Sequence, residues 1–366
     1  MRILFIGDYS NLHATLASEL KKCGHKVTVL SDKGEYIGSH ADIFLKRKKS
    51  LFGGFRYLYD IFSLLPDLKD YDVVQFINPN FFHLRPGKIK YFFDRIKAQN
   101  NKLFLTMAGN DYYFCKACME GEIFRFSEFK IGEEFSEFHK SEPHRLYGWT
   151  SYENKHWNEY FYANIDGAMS VLPEYDMVAK KVIPEKTVFT NLPIDLSILP
   201  YPSYKVEYPV KIFLGIRSGM EIQKGVLKLK KIAKEIEDEM TGKVIFETVS
   251  DIPLPEFIAR MNFSHIVLDQ LYAYSPATTA LMAMGMGKVT ATGAQPEYYE
   301  YINNPKERPV ISLSPFEKNI KDKIIEVVNN PDEIQLLGRQ ARKLVEENNE
   351  VGIVADRFIK HWEKYL

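Results

Sequence analysis

Cysteine is scarce: Cys23, Cys115 and Cys118 are the only three in 366 residues. Three thiols cannot all pair, so a disulfide framework is excluded, and a reducing, cytoplasmic setting is the simplest reading. Net charge is missing as well. Basic and acidic residues both number 48, a formal +0 at pH 7, which argues against a nucleic-acid binder that depends on neutralising phosphates. No apolar run approaches the length of a membrane span. The opening MRILFIGDYSNLH has one early Arg and an apolar stretch too short for a leader core, with no cleavage site. The chain is therefore read as soluble, at most peripherally attached.

What is present is ordinary for a globular protein, with 45% apolar and 26% charged residues. A chain of 366 residues exceeds the size at which one core keeps growing, so two domains are expected. Strand Ile3–Ile6, a turn at Gly7–Asn11, an amphipathic helix Leu12–Cys23 stopped by Gly24, and strand Lys26–Leu30 form a βαβ unit. Further strands are read at Val73–Phe76, Leu103–Thr106, Gly167–Val171 and Thr187–Phe189. Strands alternating with helices imply mostly parallel sheets covered on both faces. From Asn191 to Pro209 four prolines (Pro193, Pro200, Pro202, Pro209) and no periodic element mark a connection. The alternation then restarts at Val210–Leu214. The expected division is an N-terminal Rossmann-like acceptor-side domain 1–192, a linker 193–209, a C-terminal Rossmann-like domain 210–348, and a helix in 349–366 able to cross back.

The most informative stretch is Ser264–Gly293, SHIVLDQLYAYSPATTALMAMGMGKVTATG. It reads as strand His265–Leu268, a loop, helix Ala277–Met284 with Pro276 as its first residue, a stop at Gly285 and Gly287, and strand Lys288–Ala291. Such a helix start offers unpaired amides and the positive end of a helix dipole, which together bind anions. Upstream, Arg217 and Lys224-Gly225 follow a strand and precede a helix, where cations support the same chemistry.

With these pieces in place the chain resembles the retaining GT-B glycosyltransferases that build bacterial capsules, exopolysaccharides and lipopolysaccharide cores. The resembling segments are MRILFIGDYSNLHATLASEL, YDVVQF, TNLPID, GIRSGMEIQKG, LDQLYAYSPATTALMAMGMGKVTATG and Pro296-Glu297. They spread over both halves and thin out between Cys115 and Tyr152. The resemblance implies an α/β fold of two doubly wound domains facing a cleft. It implies a metal-independent enzyme with a nucleoside diphosphate sugar as co-substrate, no other cofactor, and a saccharide or glycolipid acceptor. Arg217 and Lys224 match the basic pair that neutralises the donor diphosphate, and Ser275, Pro276, Ala277 and Thr278 match the loop whose amides hold it. Gly7, Gly215, Gly225, Tyr274 and Glu297 fall on the donor side of the same pattern. The chain departs from the family where two glutamates flank this loop, since Tyr274 and Met282 stand there. No histidine follows the fourth strand. Asp111, in Ala108–Asp111, is the nearest polar candidate for that catalytic role. A binding or scaffold member of the same pathway, and a sugar-nucleotide epimerase, are the competing readings.

Other motifs carry less. Asp70-Tyr71-Asp72 precedes its strand instead of following it, so it is read as a strand entry and no metal is expected. Cys115-x-x-Cys118 lacks the second ligand pair a zinc site needs. The stretch 44–59 mixes Lys and Arg with Phe and Tyr, a composition that suits peripheral contact with an anionic membrane or a loop entering a core helix. The aromatic, acidic insertion Glu120–Phe138 is read equally as a cover for the acceptor side of the cleft and as a family-specific decoration.

Overall fold

Among the described residues, fourteen strands build two parallel sheets and one small hairpin. They are β1 (Arg2–Ile6), β2 (Lys26–Ser31), β3 (Ile43–Phe44), β4 (Val73–Phe76), β5 (Lys102–Met107), β6 (Lys130–Ile131), β7 (Glu134–Phe135), β8 (Gly167–Ser170), β9 (Thr187–Phe189), β10 (Val210–Ile216), β11 (Val244–Ser250), β12 (Ile266–Leu268), β13 (Val289–Thr292) and β14 (Ile311–Ser312). The computed structural model describes every residue except 33–40, 49, 51, 203, 204, 304 and 305, so part of the 44–59 stretch lies outside the described residues. The chain divides into two compact units, 1–117 with 144–193 and 351–366, and 118–143 with 194–350.

The first unit holds the sheet β3-β2-β1-β4-β5-β8-β9, parallel throughout. Its central strands are continuous apolar runs because helices cover both faces. Residues Ile3 to Ile6 and Val73, Val74 and Phe76 are fully buried. The last helix, Val351–Glu363, belongs to this unit and packs on the helix Leu12–Lys22. It closes a buried polar chain. The Trp362 indole N–H donates to Gln75 Oε1 at 2.9 Å, and the Gln75 amide donates to Thr106 Oγ1 at 3.0 Å. The Thr106 hydroxyl donates to His13 Nε2 at 2.8 Å, and His13 Nδ1 donates to the Gly7 carbonyl at 2.6 Å. That tautomer is the one the bonds require. Gln75, Thr106, His13 and Trp362 are wholly buried, and each has the partner a buried polar group needs.

The second unit holds the parallel sheet β11-β10-β12-β13-β14 and the antiparallel hairpin β6-β7. Two boundaries differ from the sequence expectation. Residues 118–143, placed with the first domain by sequence order, fold into this unit. The stretch read as a linker also packs on it: Leu196 and Leu199 lie against Gly285, and Tyr201 covers Gly287. Proline and polar residues hid the apolar side chains that dock here. No helix among the described residues is long and apolar enough to cross a membrane.

Trp362 fills the core of the first unit and satisfies Gln75, so Trp362→Ala is expected to lower unfolding free energy by about 3–5 kcal/mol. Trp362→Phe keeps most packing but orphans Gln75 Oε1, for a loss of about 1–3 kcal/mol. Urea unfolding checks both; an unmoved midpoint in Trp362→Ala would contradict this role.

Candidate functional site

Strand order reverses once in each parallel sheet, between β1 and β4 in the first unit and between β10 and β12 in the second. Crossovers from such neighbours leave on opposite faces, which opens a crevice beyond the carboxyl ends of the strands where ligands of open α/β sheets bind.

In the second unit Arg217 is the first residue after β10 and is exposed. The Asp251 carboxyl nearby is held below its usual range by hydrogen bonds from the Ser218 hydroxyl and amide, with a smaller contribution from the Arg217 charge. Lys224 ends the short helix Glu221–Lys224, is half-buried, and makes no ion pair among the described residues. Its carbonyl accepts the Leu271 N–H at 3.0 Å, which ties it to the loop after β12. The next residue must be glycine: Gly225 has φ 70°, and a Cβ there would stand 3.1 Å from both Leu271 and Tyr272. At the start of that loop Asp269 is buried, which raises its carboxyl pKa, while the Lys224 charge opposes the rise. Its Oδ2 has no hydrogen-bond partner among the described residues.

The loop runs into the helix Thr278–Gly285. Pro276 is not the first helical residue as its sequence context suggests. It is buried one place before the N-cap, Ala277, and Thr278 begins the helix. An alanine cap has no side-chain acceptor, and the first turn contains no acidic residue. The amides of Thr278, Thr279 and Ala280 therefore have neither an intrahelical acceptor nor a cap. Ala277, Thr278 and Thr279 are half-exposed, whereas Ser275 is buried. The topology thus brings Arg217, Lys224, Asp269 and the open helix start to the carboxyl ends of two adjacent strands.

Two residues placed on the donor side by sequence have other contacts. The Tyr274 phenol oxygen accepts the Arg125 and Phe126 amides at 2.5 and 3.2 Å, and its ring stacks on Phe126 with centroids 4.6 Å apart. Glu297 pairs with both terminal nitrogens of Arg125, at 2.5 and 3.2 Å. Both residues fasten the 118–143 segment to its own unit. Met282, at the other glutamate position, is buried. Gly215 lies under the Phe257 ring, which a Cβ would strike.

In the first unit Gly7 follows β1 with φ 82°, and a Cβ would collide with Ile77 just past β4. Asp111 is buried, and burial raises its carboxyl pKa. Its Oδ1 accepts the Phe114 amide at 2.8 Å and its Oδ2 accepts the Tyr162 hydroxyl at 2.5 Å, so it caps the helix Tyr112–Glu120. The acid at the β1–β4 reversal is Asp8, which sequence reasoning passed over. Asp8 Oδ1 accepts the His13 amide at 2.9 Å, Oδ2 has no partner among the described residues, and burial pushes its carboxyl to about 6. The signal was available, since Asp8 stands directly beyond the carboxyl end of the first strand. His13 is neutral: burial holds its imidazole down to about 3.

No protein-family model and no curated protein sequence matches the chain. Solved structures do. Sucrose-phosphate synthase from Thermosynechococcus elongatus is 12% identical, with 100% of this chain and 98% of that one aligned at a TM-score of 0.65. WaaG, a glycosyltransferase involved in lipopolysaccharide biosynthesis, is 14% identical, with 98% of each chain aligned at a TM-score of 0.59. A Listeria monocytogenes protein described as a UDP-N-acetylglucosamine 2-epimerase is 11% identical, with 99% and 96% aligned at a TM-score of 0.56. At this identity the likeness is one of fold. The chain has the α/β GT-B fold, with two Rossmann-like units.

Because the folded Asp8 carboxyl titrates near 6 and an unfolded one near 4, the native state holds the extra proton between those values. Its contribution to stability is fully present below pH 4 and is lost as pH rises through 6. Asp8→Asn is expected to gain stability over the native chain by up to about 3 kcal/mol at pH 7 and almost none at pH 4. Denaturant unfolding at the two pH values measures the difference; a pH-independent difference would contradict the burial account of Asp8.

Proposed function

We propose that this protein is a glycosyltransferase that moves a sugar from a nucleoside diphosphate sugar to a saccharide or lipid-linked saccharide in surface polysaccharide synthesis. The observation that carries the reading is the β10–β12 reversal, where Arg217 follows β10, Lys224 is tied to the loop after β12, and that loop leads into a helix with no side-chain cap and no acid in its first turn. Cleavage of the donor leaves the C1–oxygen electron pair on the diphosphate. Fixed cations and helix amides stabilise that charge, the role a divalent ion plays in other transferases. The acceptor hydroxyl attacks C1 from the face the diphosphate leaves, giving retention. Its proton passes to the departing phosphate oxygen, and the transient oxocarbenium-like sugar is stabilised by the same diphosphate. The structural likeness to a sucrose-phosphate synthase and to WaaG supports transfer, although an epimerase shares the fold.

One observation favours a second reading. Tyr274 and Met282 occupy the places of the resembled family's two glutamates, and both are buried in the second unit's own packing. A chain so built could bind the sugar nucleotide without transferring it.

Arg217→Ala and Lys224→Ala are each expected to weaken binding of a nucleoside diphosphate by about tenfold to a hundredfold, as charge-assisted hydrogen bonds to phosphate are lost. Calorimetric titration across a panel of nucleoside diphosphates reads this. Unchanged affinity in both variants would overturn the site. Tight binding with no acceptor-dependent nucleotide release would leave the binding-member reading in place of transfer.

A further inference from the structure

The helix Gly53–Leu64 buries Gly53, Tyr57 and Ile61 on one face. On the other, Phe52, Phe55, Tyr59 and Phe62 stand one turn apart, each between 48% and 75% exposed. Steps of three and four residues put these four rings in one stripe along the helix. Phe62 meets Tyr91 of the neighbouring helix Pro86–Ala98, with centroids 5.6 Å apart, and Tyr91 is itself 43% exposed. Monomeric soluble proteins rarely leave so many adjacent rings in water, and such patches mark interaction surfaces.

The surrounding charge says which. Lys46, Arg47 and Lys48 lie exposed just before the helix, and Arg56 projects from its polar side. Lys88 and Arg95 are exposed on the helix that carries Tyr91, and the Arg95 guanidinium lies 5.5 Å from the Tyr91 ring centre. The acids on these two helices and at the end of the first are Asp60, paired with Arg56 at 2.9 Å, Asp67, and Asp94, paired with Lys90 at 2.6 Å. The chain as a whole is neutral, so a basic rim around an aromatic stripe is a local feature. A projecting row of rings, with cations beside it, complements the acyl–headgroup boundary of an anionic bilayer. Tyrosine and phenylalanine suit that boundary, the phenol facing water and the ring facing lipid.

We propose that the stripe Phe52, Phe55, Tyr59, Phe62 and Tyr91, with Lys46, Arg47, Lys48, Arg56, Lys88 and Arg95, is a docking surface for an anionic lipid bilayer. The helix lies in the plane of the interface. This surface belongs to the first unit alone and stands whether or not the second unit transfers sugar.

The test is co-sedimentation of the full chain, without nucleotide, with vesicles of pure phosphatidylcholine or of phosphatidylcholine mixed with phosphatidylglycerol. Binding to the mixed vesicles is expected to exceed binding to the pure ones and to fall as salt rises. The double variant Phe55→Ser, Tyr59→Ser should lose at least about tenfold in partitioning, because two exposed rings no longer enter the interface. Lys48→Gln with Arg56→Gln should remove much of the preference for anionic vesicles. Phe263→Ser, at another exposed ring in the second unit, should change nothing. All these side chains are exposed, and unchanged circular dichroism confirms that the variants fold. No binding to mixed vesicles, equal loss in Phe263→Ser, or a lipid-free dimer that Phe55→Ser dissociates would each overturn the proposal, the last in favour of a second copy of the chain.

Discussion

Reversal of strand order is the constraint on which the rest depends. A parallel sheet needs a crossover after every strand, and crossovers leave on one face or the other. Where the face changes, the loops after two adjacent strands part. In the second unit those loops carry Arg217, Lys224 and Asp269, and one of them feeds a helix with an alanine cap. In the first unit they carry Gly7, Asp8 and Ile77.

Each reversal is held by packing that has no ligand to bind. In the first unit the chain of hydrogen bonds from Trp362 through Gln75, Thr106 and His13 ends on the Gly7 carbonyl. The final helix of the polypeptide thereby fixes the first turn. Every member is buried, so the loss of any one leaves an unpaired polar group in a low-dielectric core. In the second unit the 118–143 segment plays the corresponding part, with the Arg125 and Phe126 amides on Tyr274 and the Arg125 guanidinium on Glu297. This Arg–Glu pair is partly exposed and its direct contribution is modest. Its bidentate geometry nevertheless orients the segment.

Much of the fold was legible in the sequence, and the reasons are physical. Strands buried on both faces read as unbroken apolar runs, as in Ile3–Ile6 and Val210–Leu214, and the glycines at 7 and 225 mark positions where a side chain has no room. Contacts between distant segments were not legible. Nothing local in Arg125 announces a partner 172 residues away, so the 118–143 excursion was assigned by chain order. Tyr274 and Glu297 were drawn toward a ligand by the positions they occupy, while their hydrogen bonds run to that excursion. Asp111 is the nearest polar group to the place of the resembled family's histidine, and its bond to the Tyr162 hydroxyl, 51 residues away, has no local signal. Asp8, with a carboxylate oxygen left unpaired, was overlooked because a single acid in a turn has no periodicity to stand out against.

The central claim is that a diphosphate sits on the open start of the helix Thr278–Gly285 beside Arg217 and Lys224. Amide hydrogen exchange, followed by mass spectrometry with and without saturating nucleoside diphosphate, tests it most directly. The account predicts slowed exchange in peptides spanning 215–225 and 275–281, which carry the two cations and the uncapped amides of the helix start. Protection confined to the first unit, or none in either peptide while calorimetry reports binding, would contradict it.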